Sequence, residues 1–355
     1  MLRVTTLYAS SAAATSKYYT RYLTQAPGEE PGLWCGEQAD HLGLAGKVST
    51  EALEWLLEGR DPISGTPLGK PLVARTLANG NVVRAVAGFD ATLSAPKSLS
   101  VLWALTQDPG LLAAHDAAVQ VVLSHLERFG STTRVRSNGG RLHPDSKGLI
   151  AAAFRQTTSR ADDPQIHTHL VISAKVQTDD GRWLALDARY LKRKQRVLGG
   201  LYQSVLRNEL SHRYGVGWDE IVNGQAEITG MPEELLVVFS KRTAEIDAAV
   251  KAKVDEFRDR EARSPTRWER AALCREAAVD TRAHKSGHGV TDLATSWQLD
   301  AAEFGWTPAG VLTQVQTVGR QQAMWPTPPV TVQGIVERLS ASGSTWARPD
   351  VLQAI

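Results

Sequence analysis

The chain has 355 residues, with Lys+Arg 40 against Asp+Glu 38, a formal net charge of +2, 42% hydrophobic and 22% charged residues. This globular composition excludes a fibrous or wholly disordered protein, and the near balance of charge excludes a polybasic nucleic-acid coat, so any DNA contact must come from local basic patches. No apolar run approaches the ~20 residues of a membrane-spanning helix, the start Met1-Leu2-Arg3-Val4-Thr5-Thr6 lacks a signal-peptide pattern, and Cys35 and Cys274 are too few for a disulfide framework, so a cytoplasmic setting without membrane insertion is expected.

Leu2, Val4, Thr6 and Tyr8 alternate as in a short strand. Ser10 or Ser11 can cap a helix from about Ala12 to Leu23 that carries Tyr18, Tyr19 and Tyr22. Residues 25–48, with Pro27, Pro31, Gly32 and Gly36, read as a loop before a short helix; 51–58 reads as helix and 59–70 as a turn-rich connector. The segment 82–93 reads as a strand with Asp90 and Thr92 on one face and Phe89, Ala91 and Leu93 on the other. Ser94-Ala95-Pro96-Lys97 opens a helix with its proline in the first turn, and a second helix covers about 111–129. Strands follow over 149–157 and 166–176, and Asp179-Asp180-Gly181 turns the chain into 183–186. Residues 197–213 and 232–282 read as helical, 286–290 and 325–330 as linkers, and 330–355 as a small helical unit. This order is not βαβ alternation. It predicts an α+β fold, a central antiparallel sheet with flanking helices and a mostly helical C-terminal part.

The strongest chemical signal is Asp163-Pro164-Gln165-Ile166-His167-Thr168-His169-Leu170-Val171-Ile172. On a strand, His167 and His169 point to one face and can share a metal ion, while Thr168 and Leu170 point into packing. A bare His-x-His serves equally as a structural pair. The neighbouring strand 154–160 can bring Gln156 or Arg160 to the same face. Tyr18 and Tyr19 form the second signal. A phenol attacks poorly at neutral pH unless a metal polarises the target phosphate and a carboxylate takes its proton or orients a histidine; Asp90 is the candidate carboxylate. Aromatic residues at helical spacing also serve as core. The helix start at Lys97 suits a phosphate, or is an ordinary cap. Gly65 to Pro71 is one residue short of a phosphate loop and has Pro71 where Ser or Thr is needed. Arg189, Lys192, Arg193, Lys194 and Arg196 give a local basic excess that continues through Arg207 and Arg213, a candidate DNA track or a solvated helix face. The mixed charges of 241–282 read as a solvated surface, and the two cysteines as inert thiols.

Taken in order, Tyr18-Tyr19, the run Gly88 to Ser98, Phe154-Arg155-Gln156-Thr157-Thr158-Ser159-Arg160 and His167-Thr168-His169 resemble the MobF class of conjugative relaxases, within the HUH endonucleases. The resemblance covers about 1–290. It implies binding of plasmid transfer-origin DNA as hairpin and single strand. It also implies attack by Tyr18 on a phosphodiester, leaving a 5′-phosphotyrosine adduct and a free 3′-OH that can be rejoined. Asp90 is then the base or the histidine orienter, His167 and His169 are metal ligands, and Tyr19 or Tyr22 is the candidate for a second strand transfer. Where the family places a third histidine this chain has Gln156, a harder and weaker donor that favours Mg²⁺ or Mn²⁺, with Zn²⁺ as the alternative. Arg160, Lys97 and the 189–196 cluster are the expected DNA contacts. Accessory relaxosome proteins, a type IV coupling protein and transfer into the recipient cell are further implications. Residues 291–329 are expected to be linker, and 330–355 the start of a truncated helicase-linked region. Two other functions fit the same residues: a hairpin-binding module with weak or lost cleavage, and a rolling-circle replication or transposition nuclease.

Overall fold

The computed structural model describes residues 1–22, 29–137, 140–222, 224–282, 289–324, 331–342 and 351. In chain order, β1 (Leu2–Tyr8) leads into α1 (Ala12–Lys17), which widens into a π-helical turn over Tyr18–Tyr22. Then come β2 (Leu33–Cys35), α2 (Glu37–His41), α3 (Thr50–Leu57), the ribbon β3 (Arg75–Thr76) and β4 (Val82–Val83), β5 (Val86–Ser94), α4 (Lys97–Thr106) and α5 (Pro109–Gly130). The short pair β6 (Val135–Ser137) and β7 (Gly140–Leu142) precedes β8 (Ala151–Thr158), β9 (Pro164–Ser173) and the hairpin β10 (Lys175–Gln177) and β11 (Trp183–Ala185). The remainder is helical: α6 (Arg189–Arg193), α7 (Gln195–Tyr214), α8 (Glu233–Val238), α9 (Lys241–Glu261), α10 (Arg267–Asp280), α11 (Val290–Ala302), α12 (Pro308–Ala323) and α13 (Val332–Ser342).

The central sheet runs β1-β5-β9-β8-β2, antiparallel at every pairing. Strand alternation divides it into two unlike faces. Phe89, Ala91 and Leu93 of β5 and Ile166, Leu170 and Ile172 of β9 point to the face covered by α4, α5 and α7, in the larger core. Ala152 and Phe154 of β8 and Val171 of β9 point the other way, into a smaller core closed by α1 through Ala12, by the π-helical turn through Tyr19 and by α3 through Leu53 and Leu56. Beyond that cover the second face lines a cleft of about 1090 Å³, whose outer wall includes Cys274, Arg275, Ala278 and Val279 of α10.

Three sequence expectations change. The strand β2 lies inside the segment read as loop; three residues are too few to show alternation, and they pair on β8 only because Gly36, at φ 104°, lets the chain turn where a Cβ would meet the Leu149 carbonyl at 2.4 Å. The helix expected to reach Leu23 stops being α-helical after Lys17. The segment 291–329, expected as linker, holds α11 and α12, and Trp297, Val311 and Val315 are buried in the larger core. Their apolar residues are spaced for one stripe of each helix, and that stripe packs on α4. The expected linkers at 286–290 and 325–330 fall mostly outside the described residues.

His115 of α5 ties the larger core to the strand that carries the paired histidines. It is fully buried, with Nδ1 2.6 Å from Tyr202 Oη on α7 and Nε2 2.7 Å from Thr168 Oγ1 on β9. Burial, helped by the charge of Arg155, holds its pKa down at about 3. An unfolded histidine titrates near 6.5. The unfolded chain therefore takes a proton that the folded one refuses, and stability present above about pH 6.5 is lost as pH falls toward 3, by up to about 1.4 kcal/mol per pH unit. His115→Gln is expected to flatten the urea-unfolding stability profile between about pH 6 and pH 4; an unchanged slope assigns the acid sensitivity to other groups.

Candidate active site

The antiparallel register builds the site from three strands. Thr92 of β5 and Phe154 of β8 both pair with His169 on β9, and Ser94 and Gln156 both pair with His167. Alternation then puts Asp90, Thr92, Gln156, His167 and His169 on one face, and all five line the cleft together with Tyr18, Tyr19 and Arg160. The two imidazole centroids are 5.3 Å apart.

Asp90 is the hub. Its Oδ2 accepts from the Tyr19 hydroxyl at 2.6 Å and its Oδ1 from the Thr92 hydroxyl at 3.2 Å, while Oδ2 and Oδ1 lie 2.9 and 3.1 Å from His169 Nδ1. Burial alone would raise this carboxyl, but the charge of His169 and the three hydrogen-bond donors outweigh burial and hold it below the usual carboxylate range. A carboxylate can only accept, so Nδ1 of His169 carries a proton, and in the neutral ring the electron pair then sits on Nε2. The same logic applies to His167, whose Nδ1 lies 2.8 Å from the Gln165 carbonyl oxygen. Both rings are thus fixed in the tautomer that a metal ligand needs. Among the described residues no group of three or more His, Cys, Asp or Glu side chains converges on a metal position. The third donor available is Gln156, 2% exposed and opposite His167 in the sheet. Two imidazoles and one amide oxygen are a donor set that fits a divalent cation.

The tyrosines separate into two roles. Tyr19 is 3% exposed, its ring 5.2 Å from Phe154 and 5.6 Å from His169. Burial and then the negative charge of Asp90 push its phenol far above its ordinary pKa. Tyr19 is expected from the sequence as a catalytic residue beside Tyr18; in the structure its hydroxyl donates to Asp90. Tyr18, half-buried, lines the cleft, and its Oη accepts from Arg160 Nη2 at 3.2 Å and from Arg282 Nη2 at 3.1 Å. Tyr22 belongs to the same turn, and its side chain is outside the described residues.

Arg160 sits on a tightly built loop between β8 and β9. Ser159 N donates to the Asp163 carbonyl at 2.8 Å, Ser159 Oγ accepts from Ala161 N and Asp163 N, and Asp162 takes a left-handed conformation at φ 59°. Trp297 of α11 donates its indole N–H to the Asp162 carbonyl at 2.9 Å. Asp163, in turn, accepts from Arg242 N at the start of α9 at 2.9 Å. Sequence reasoning gave no site role to Arg282, Trp297 or Arg242, the last of which lies in a segment, Phe239 to Thr243, that shares in the family resemblance. Each reaches the site from more than 70 residues away.

The helix start at Lys97, expected from the sequence to suit a phosphate, already meets a carboxylate in the structure. Glu227, 130 residues along the chain, accepts from Lys97 N at 3.3 Å and Ser98 N at 2.7 Å, so the first amides of α4 already have a carboxylate. The Lys97 ammonium donates to the Pro164 carbonyl at 2.9 Å, and burial lowers its pKa against the opposing charges of Asp163 and Glu227. Glu227→Ala is expected to lower unfolding stability by about 1 kcal/mol, the usual worth of a helix cap, and to leave DNA binding unchanged; chemical denaturation and an oligonucleotide titration check both.

The 189–196 cluster lies away from the cleft. Arg189 binds Asp187 through Nε at 2.8 and 2.9 Å, and Lys192 Nζ donates at 2.9 Å to Thr6 Oγ1, on the face of β1 opposite the cleft-lining Arg3 and Thr5. Arg193 and Arg196 are exposed, and Lys194 is half-buried. Among the described residues, the arginines that line the cleft are Arg3, Arg160, Arg242, Arg275 and Arg282.

Comparison with known proteins gives one answer at three levels. Residues 3–304 match the family described as TrwC relaxase. The multifunctional conjugation protein TraI of Escherichia coli is 34% identical over 253 residues, 68% of this chain and 14% of that protein. The chain therefore spans only a small part of the length of these curated relatives. Among solved structures, the conjugative relaxase TrwC in complex with oriT DNA, metal-bound, superposes with a TM-score of 0.71 at 27% identity, covering 87% of this chain and all of that one. TrwC complexed with a 27-mer DNA comprising the recognition hairpin and the cleavage site gives 0.69 at 27% identity, again over 87% of this chain and all of that one.

Proposed function

The chain belongs to the TrwC relaxase family, and from that premise we propose that it nicks and rejoins one strand of plasmid transfer-origin DNA, with Tyr18 as the attacking group. The observation that carries this reading is the gathering of a cleft-lining phenol under two guanidinium donors, beside two imidazoles fixed as Nδ1–H tautomers. That arrangement provides a nucleophile, positive charge for a phosphate, and a metal position in one cleft.

In the reaction the Tyr18 oxygen forms a bond to phosphorus and the bond from phosphorus to the 3′-oxygen breaks. The phenol proton passes to solvent, and the departing oxygen takes a proton from water. The adduct is a phosphodiester, so the reverse attack by a 3′-OH rejoins the strand without an external energy source. Asp90 is assigned the orienting role, since its oxygens are engaged by His169, Tyr19 and Thr92. His167, His169 and Gln156 would hold a divalent cation; the donor set and the metal-bound TrwC relative both support this. When bound there, such a cation would neutralise charge on the phosphate oxygens and make phosphorus more electrophilic. With Gln156 in the set, Mg²⁺ or Mn²⁺ is the proposed metal over Zn²⁺.

The DNA partner is proposed as a hairpin with its single-stranded flank, by likeness to the TrwC complex with a recognition hairpin and cleavage site. The basic stretch from Arg189 to Arg196 belongs to this proposal as a track for the duplex part, outside the cleft. Accessory proteins, a coupling protein and passage to a recipient cell extend it. Among the described residues no helix is long and apolar enough to cross a membrane, which suits action on DNA in the cytoplasm. The direct test incubates the full chain with labelled single strands tiled across the transfer origin of its own element, in Mg²⁺ or Mn²⁺. One strand should yield a covalent adduct on a denaturing gel. Tight hairpin binding with no adduct in either ion would favour the binding-module reading, to which Gln156 gives its one point of support.

A further inference from the structure

The helical arm α9–α10 reads from sequence as a solvated surface, yet it places a charged group on the attacking atom. Arg282, two residues past the end of α10, donates to Tyr18 Oη at 3.1 Å, and its guanidinium lies 5.6 Å from the Tyr18 ring centroid. The arm is not loosely laid over the cleft. Arg242, near the start of α9, donates from Nη2 to the Ala278 carbonyl at 3.0 Å and from Nη1 to the Thr281 carbonyl at 2.5 Å, capping the last turn of α10. The Arg242 amide is held by Asp163, whose loop also presents Arg160. Arg282 N itself donates to the Val279 carbonyl at 3.0 Å, continuing the helical course of the backbone. The path from the Arg160 loop through Asp163, Arg242 and the end of α10 to Arg282 therefore starts and finishes at the same phenol oxygen.

We propose that Arg282 is a catalytic residue that shares the Tyr18 oxygen with Arg160, and that Arg242 is its positioning residue. This inference rests on Tyr18 being the nucleophile. A guanidinium has five N–H donors in a planar fork, so a bond to the phenol is compatible with further bonds to a phosphate oxygen brought alongside. Arginine does not accept the phenol proton. It fixes the direction of the attacking oxygen and meets the charge that gathers on the phosphoryl oxygens as the new oxygen–phosphorus bond forms and the bond to the 3′-oxygen breaks. Charge placed before the reaction needs no reorganisation during it, which is why two arginines from separate elements are worth more than one mobile cation.

The test uses the full chain and the strand that the wild type converts to adduct, with single-turnover rates at saturating strand and dissociation constants measured separately. Arg282→Gln should slow adduct formation by about 10²–10³-fold, the usual cost of one preorganised donor, and weaken strand binding far less. Arg282→Lys should recover only part of the loss, because an ammonium restores charge without the fork. Arg242→Gln should slow the same step by a smaller factor. The double variant should be little slower than Arg282→Gln, since both act through one contact. If Arg282→Gln keeps the wild-type rate, or loses only affinity, while Tyr18→Phe forms no adduct, the inference is overturned and the proposed function stands. If Tyr18→Phe still forms the adduct, both fall.

Discussion

Tyr18→Phe is expected to abolish the covalent protein–DNA adduct, while Tyr19→Phe keeps it. The two residues are adjacent in sequence, and their rings meet edge to face at 5.2 Å, so proximity does not separate them. Their surroundings do. The Tyr18 oxygen faces the cleft and accepts from two cationic donors, Arg160 and Arg282. The Tyr19 oxygen is buried against Asp90, an anion that opposes loss of the phenol proton. Removing the Tyr18 oxygen removes the atom that would bond to phosphorus. Removing the Tyr19 oxygen leaves a buried carboxylate short of one donor, which should cost about 1–3 kcal/mol of stability. It should also slow cleavage by about tenfold, at the low end of what is lost when an outer partner of a metal ligand goes. A denaturing gel with labelled strand, paired with denaturant unfolding, reads both effects. Adduct in Tyr18→Phe, or its complete absence in a folded Tyr19→Phe, would reverse the assignment.

How much of this was legible in the sequence follows from the range of each interaction. The strand residues were readable because alternation is local: Asp90 and Thr92 in β5 and His167 and His169 in β9 share faces by a rule of period two, and the antiparallel sheet follows from their order. Gln156 was readable once β8 was placed beside β9. Glu227 on the amides of Lys97 and Ser98, Arg242 on the end of α10 and Trp297 on the Asp162 carbonyl were not. Each joins segments whose meeting is decided by packing of whole helices, and each uses a residue type that local pattern assigns to solvent or core. The long stretch 241–282 misled for a related reason. Its charges pair among themselves in part, as in Lys253 with Asp280 and Arg263 with Glu269, but Arg242, Arg275 and Arg282 of the same stretch line the cleft. Likewise the helix predicted through Leu23 was legible as a helix, but not its widening at Tyr18, which is a choice between backbone hydrogen-bond patterns that the same residues support.

Asp90→Asn is expected to weaken divalent-metal affinity by about 10–100-fold and to raise the metal concentration needed for cleavage by the same factor. The carboxylate has two effects on His169 that an amide of the same shape loses. It accepts from Nδ1, which keeps the electron pair on Nε2, and its negative charge makes that pair a stronger donor. Asparagine can present its oxygen to Nδ1 or its NH₂ group, and the second choice turns the ring into the wrong tautomer. It also loses one of the acceptors that Tyr19 and Thr92 now share. The complementary change is Gln156→His. Exchanging a neutral amide for an imidazole should tighten the site for Zn²⁺ relative to Mg²⁺, because nitrogen donors favour the former and oxygen donors the latter. Calorimetric titration with Mg²⁺, Mn²⁺ and Zn²⁺, beside the metal dependence of adduct formation, reads the two variants on one scale. The orders are expected to move in opposite directions, affinity falling in Asp90→Asn and selectivity shifting toward Zn²⁺ in Gln156→His. If neither variant alters metal binding or metal dependence, the cation lies elsewhere, and the paired imidazoles serve the phosphate directly or only the fold.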